Sequence, residues 1–118
     1  MHKSIDEFFQ KKYNRSNYNC AHFASELWLK IVGEDISPKL CGVMTGLSDR
    51  KITFDLRRKF ERLDSPVEPC LVLMQRPKTP PHIGVFLRGK VLHLKESGAE
   101  FQPLDVASFG FTKIGFYK

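Results

Sequence analysis

Cys20 is the residue of this chain best placed to act as a nucleophile. It opens a stretch in which apolar residues fall at 20, 23, 24, 27, 28, 31 and 32, the spacing of a helix with one buried face. Asn19 is a good N-cap, because its side-chain oxygen can accept a backbone N–H of the first turn, and Gly33 is a good stop. A thiol at a helix start faces unpaired N–H groups and about half a positive charge, which favours thiolate over thiol. The same N–H groups could hold the oxyanion that forms when a thiolate attacks a carbonyl. Taken alone, though, Cys20 fits a small buried hydrophobe on the apolar face better than it fits a nucleophile.

His82 and His93 change that balance through geometry. His82–Leu87 and Lys90–Lys95 read as two strands joined at Arg88-Gly89, a hairpin signal. With the turn there, Leu87 faces Lys90, Val85 faces Leu92 and Gly84 faces His93. Side chains alternate along a strand, so His82 and His93 lie diagonally across one face, roughly 7 Å apart, with Gly84 leaving open space between them. Two histidines on one hairpin face, with a helix-start Cys elsewhere, fit a base and the group that orients it. A slip of one residue would put them on opposite faces. Cys41, in a loop bounded by Pro and Gly, and Cys70, the start of an apolar strand, are poorer nucleophiles. His22 falls about 200° around the helix from Cys20 and is expected to point away to solvent, which argues against a zinc site.

The elements that must position these groups run helices first and sheet second. Residues 4–12 predict a short helix capped by Ser4, with Ile5, Phe8 and Phe9 on one face. Tyr13 to Asn19 is a polar link with three Asn and is expected to be irregular. Residues 34–47 read mostly as loop. Ser48 caps a second expected helix running to about Leu63, whose outer face carries Arg50, Lys51, Arg57, Arg58, Lys59 and Arg62. Cys70–Met74 is a continuous apolar run, consistent with a buried strand, and Phe111–Tyr117 is a closing strand. The class is therefore α+β, with N-terminal helices packed on a small antiparallel sheet.

The 118 residues make one domain, 1–118. Ten Phe and a 42% hydrophobic content suffice for one modest core. There is no apolar run of about 18 residues to span a membrane and no secretory signal after Lys3, so the chain is expected to be made in the cytoplasm. An odd count of three Cys argues against a disulfide framework. The net charge of +6 favours a polyanionic partner or simply keeps the protein soluble. The basic stretch 50–62 lacks the interleaved aromatics used for single strands, so nucleic acid is not the expected partner.

Asn19-Cys20-Ala21-His22-Phe23 opening a helix, then His82-Ile83-Gly84-Val85-Phe86-Leu87 and Val91-Leu92-His93, resembles the NlpC-type cell-wall peptidases over about residues 13–118. These are papain-like enzymes with the chain order Cys, His, then a polar residue that is often His. The resemblance implies a papain-like fold, Cys20 as nucleophile, His82 as base and His93 as the residue that orients it. It makes Tyr13 or Tyr18 the counterpart of the family's active-site Tyr, and Asn19 a supporting residue. The implied reaction is hydrolysis of amide bonds in peptidoglycan stem peptides through an acyl-enzyme, with no cofactor and no metal. Compact members without a signal are similar to versions from phage tails and prophages. The implied protein partners are thus phage-tail or secretion-machinery components, with a phage particle or another route delivering the chain to the wall. The chain departs from the family at Asn19-Cys20-Ala21-His22, where Asp-Cys-Ser-Gly is common, and at Pro69-Cys70, where Gly-Asp usually precedes the first core strand. Asn-Cys-x-His-Phe is also similar to the lecithin retinol acyltransferase group, but there the catalytic His precedes the Cys. The competing readings are a phage-tail structural module that keeps the fold without turnover and a basic nucleic-acid-binding domain.

Overall fold

In the computed structural model, which describes residues 4–15, 17–40, 56–79 and 81–118, the apolar period starting at Cys20 becomes the helix Cys20–Val32 (α1). Gly33 ends it in the left-handed region at φ 86°, its N–H donating to the Leu29 carbonyl. A left-handed residue after the last turn lets the chain leave the helix while a final carbonyl stays bonded, and only Gly takes that conformation without steric cost. The buried face of α1 is Ala21, Phe23, Ala24, Leu27 and Trp28, whereas Val32 is exposed.

Among the described residues the sheet has six strands, antiparallel at every pairing: Arg62–Leu63 (β1), Cys70–Gln75 (β2), His82–Leu87 (β3), Lys90–Lys95 (β4), Gly98–Pro103 (β5) and Lys113–Tyr117 (β6), in the order β1-β6-β2-β3-β4-β5. A short helix, Leu104–Ala107 (α2), follows β5. The β3–β4 hairpin has the expected register, Leu87 opposite Lys90 and Val85 opposite Leu92. Its turn residues Arg88 and Gly89 both have positive φ, 53° and 75°, the twist that two-residue hairpins favour.

The two faces of the sheet are covered differently. Leu71, Leu73, Ile83, Val85, Leu92 and Leu94 meet α1 in the main core. On the other face Val72, Met74 and Val91 pack with Ala107, Phe86, Phe111, Ile114 and Phe116. β2 is buried on both faces, which is why it reads as an unbroken apolar run rather than an alternation. Phe23 is fully buried and meets Phe8 edge to face, ring centroids 5.6 Å apart at 87°. Phe23→Ala is expected to destabilise the fold by about 3–5 kcal/mol, read as a lower denaturant midpoint at unchanged slope.

Several local expectations are corrected. The first helix is a single 3-10 segment, Asp6–Gln10, whose first N–H, that of Asp6, donates to Ser4 Oγ at 3.4 Å; Ile5 and Phe8 are buried, while Phe9 leans out against Phe101. The link before α1 is more ordered than its composition suggests, because Asn14 and Tyr18 exchange both backbone hydrogen bonds at 2.8 Å. The helix expected from Ser48 to Leu63 does not reach its end: residues 56–59 are helical, but Arg62 and Leu63 pair with Tyr117 and Phe116 as a strand. Its first part, with Arg50 and Lys51, lies outside the described residues, as does Cys41. β5 and α2 fall where no element was expected. Among the described residues no helix is long and apolar enough to cross a membrane.

Candidate active site

The N-terminus of α1 is built by Asn19. Its backbone is extended, and its Oδ1 accepts the N–H groups of Ala21 and His22 at 2.9 and 3.3 Å. His22 answers in kind, its Nδ1 accepting the Asn19 N–H at 3.1 Å, so the pair forms a reciprocal capping box. His22 also stacks on Tyr18, ring centroids 6.0 Å apart. It is therefore a half-buried part of the cap rather than a solvent-facing side chain. The cap also corrects the expected oxyanion donors. Ala21 and His22 give their N–H groups to the Asn19 side chain, and Phe23 gives its own to the Asn19 carbonyl. Cys20, the first residue of the helix, is half-buried and not disulfide-bonded.

The histidines project from the face of the sheet opposite α1. His82 stands across from Met74, and His93 lies two residues from Val91; both apolar neighbours belong to the core on that second face. His82 Nε2 and His93 Nδ1 are 2.6 Å apart, and the rings meet nearly at right angles. The regular strand pairing of β3 with β4 runs from the turn to Val85 and Leu92, just short of these residues. Gly84 does not leave an open space between them, as expected, but allows a close approach. A Cβ there would lie 2.8 Å from Val91 Cγ1 and 3.0 Å from His93 Cβ, closer than side chains tolerate.

β5 adds a group that the sequence reading did not identify. Gln102 stands opposite Val91, hence on the face of His93, and its Oε1 lies 2.9 Å from His93 Nε2. The signal was present: Glu96-Ser97-Gly98 is a turn, and Ala99 and Phe101 alternate with Glu100 and Gln102 as in a half-buried strand.

Cys20, His82, His93 and Gln102 line one cleft of about 690 Å³, at the mouth formed by the start of α1 and the start of β3. Tyr13 and Asn19 line it too. Tyr18 does not: its hydroxyl donates to Glu26 at 2.6 Å, and burial and then that carboxylate hold its phenol well above the usual value. Of the two tyrosines, Tyr13 is thus the one at the cleft. Phe111 forms a wall, its ring parallel to that of His82 with centroids 6.2 Å apart, and the Arg76 guanidinium lies over Phe111. Arg15, Arg76 and Lys95 contribute cations to the lining and Glu96 a carboxylate.

Both imidazoles are held below the ordinary histidine range. For His82 the cause is burial first, then the charges of His93, Lys95 and Arg76. For His93 burial again leads; the hydrogen bond to Gln102 and the Glu100 charge oppose it, and Lys95 reinforces it. Burial disfavours the charged form, so the pair rests neutral at pH 7. Cys70, in the interior strand β2, has its thiol pushed up by burial. Among the described residues no three His, Cys, Asp or Glu side chains are grouped as metal ligands.

Comparison of the chain with family models, with curated proteins and with solved structures finds no match.

Proposed function

We propose that this protein is a papain-like cysteine hydrolase of the NlpC type, cutting amide bonds in peptidoglycan stem peptides. The observation that carries the reading is the convergence of Cys20, His82 and His93 on one cleft, with the two imidazoles hydrogen-bonded to each other. The site's geometry supports thiol acyl transfer, while the peptidoglycan substrate rests on the resemblance of the motifs.

His82 engages His93 through Nε2, which leaves Nδ1 to take the Cys20 thiol proton. The thiolate attacks the amide carbonyl carbon. His82 Nδ1–H then protonates the leaving amine, and a thioester to Cys20 remains. Water, deprotonated by the same nitrogen, cleaves the thioester and regenerates the thiol. With both imidazoles resting neutral, the thiol is deprotonated as it attacks, by a general base, rather than stored as a thiolate beside an imidazolium. Three of the first helical amides are bonded to Asn19. In this reading the oxyanion forms at the start of α1, where Cys20 and Tyr13 both line the cleft. The wall is reached in a phage particle or by another delivery route.

Digestion of purified peptidoglycan, with fragments weighed by mass spectrometry, tests the reading. New stem-peptide termini are expected, and an unchanged digest would sink it. The pH dependence gives a second readout. His82 must be neutral to act, so the acid limb of kcat/KM is expected below pH 6.5, the ordinary imidazole value. Stability follows the same sign. The unfolded histidines take protons near pH 6.5 and the folded pair resists them, so stability is full above that pH and falls as pH drops toward the lowered folded values. The Tm should therefore fall from neutral to mildly acid pH, and fall less in His82→Gln.

A further inference from the structure

The three groups His82, His93 and Gln102 form a hydrogen-bonded line in which each contact fixes the next. A neutral imidazole carries one proton on one of its two nitrogens, so it donates from one and accepts at the other. Gln102 Oε1 is 2.9 Å from His93 Nε2 and, being a carbonyl oxygen, can only accept. His93 therefore carries its proton on Nε2 and presents a bare Nδ1. That nitrogen is 2.6 Å from His82 Nε2, which must then be the protonated one. His82 is left with its lone pair on Nδ1, the nitrogen not used within the line. Were Gln102 to present its amide nitrogen instead, every proton in the line would reverse, and Nδ1 of His82 would be blocked by its own hydrogen.

We propose that Gln102 is a positioning residue that sets the tautomer of His93 and, through it, that of His82, making His82 Nδ1 the proton acceptor. The proposal deepens the hydrolase reading and rests on it for the identity of the base. Burial makes the device effective. His93 is only 2% exposed, so little water reaches it to offer an alternative partner. Gln102 is carried by β5 rather than by a loop, and the pairing of Val91 with Gln102 and His93 with Glu100 holds its backbone in register beside the imidazole. Gln suits this place because it is uncharged. A carboxylate would accept the same proton but would also draw His93 toward the imidazolium, which the buried site otherwise disfavours.

Long-range ¹H–¹⁵N correlation on ¹⁵N-histidine-labelled protein reads the protonation of each ring nitrogen without requiring turnover. In the wild-type chain, at mildly alkaline pH, both histidines are expected as Nε2–H with Nδ1 bare. The opposite pattern would overturn the proposal, whatever any variant does. Gln102→Met, close in size but without an acceptor, is expected to release the constraint, giving mixed or reversed tautomers on both rings. Gln102→Glu, which restores an acceptor, should return the wild-type pattern. Unchanged nitrogen signals in a folded Gln102→Met protein would also overturn it. In turnover, Gln102→Met should lose roughly tenfold or more in kcat with KM little changed, and Gln102→Glu should recover most of the loss. If the wild-type chain cuts no peptide while its nitrogen pattern is as expected, the hydrolase reading fails and the tautomer assignment stands.

Discussion

Cys20→Ala is expected to lower kcat by on the order of 10⁶-fold, the scale of removing a nucleophile whose partners act as a unit with it. Its Tm should stay close to that of the wild type. Ala is the best helix former, and the position is the first of α1, where the cap comes from Asn19 and His22 and not from the thiol. Loss of activity with the fold intact therefore separates a chemical role from a packing role, the distinction the sequence leaves open. Cys70→Ala is the control. That thiol is buried in an interior strand and pushed toward its protonated form, so its loss should lower stability and spare turnover. Inactive Cys70→Ala beside an active Cys20→Ala would reverse the assignment of the nucleophile.

The second large effect is expected at the histidine pair, where the two partners should respond unequally. His82→Ala and His82→Asn should each lower kcat by roughly 10²–10⁴-fold, because neither substitute can take and return the proton. His93 supplies an acceptor to His82 Nε2, and an Asn carbonyl can do the same in part. His93→Asn should accordingly keep measurable turnover, and His93→Ala should lose more. Both His93 variants also strip Gln102 of its donor, a second penalty absent from the His82 series. More activity in His82→Asn than in His93→Asn would exchange the two roles. If no substitution at either position matters, the cleft is not a hydrolase site.

What the sequence makes legible here depends on agreement between local signals. α1 can be read because its apolar period, the Asn19 cap and the Gly33 stop all point one way. The hairpin can be read because Arg88-Gly89 fixes its register, and that register alone brings His82 and His93 together. Where local and tertiary signals compete, reading fails. Arg62 and Leu63 continue a plausible helical stripe, yet β6 offers them a strand partner and pairing wins. β5 holds Gly98, Glu100, Gln102 and Pro103, poor strand formers that take their conformation from β4. Gln102 is legible only where the alternation of Ala99 and Phe101 with Glu100 and Gln102 outweighs those propensities. His22, expected to point to solvent, instead accepts the Asn19 amide in a cap in which His takes the usual place of Glu or Gln.

The strand order carries a consequence for how the protein is made. β6, the last strand in the chain, lies inside the sheet between β1 and β2, and it pairs with β2 along five residues. While a ribosome is still short of Lys113, β2 has an open edge, and no local hairpin can substitute for the missing neighbour. Cys20 is translated 62 residues before His82, an interval of about 3–12 s at typical synthesis rates. Throughout that interval His82 does not yet exist to stand beside the thiol, and the sheet that will carry it lacks its interior strand for longer still. If Cys20 and His82 act together as proposed, a polypeptide that stops short of Lys113 therefore carries the thiol without the complete sheet that would hold its partner in place.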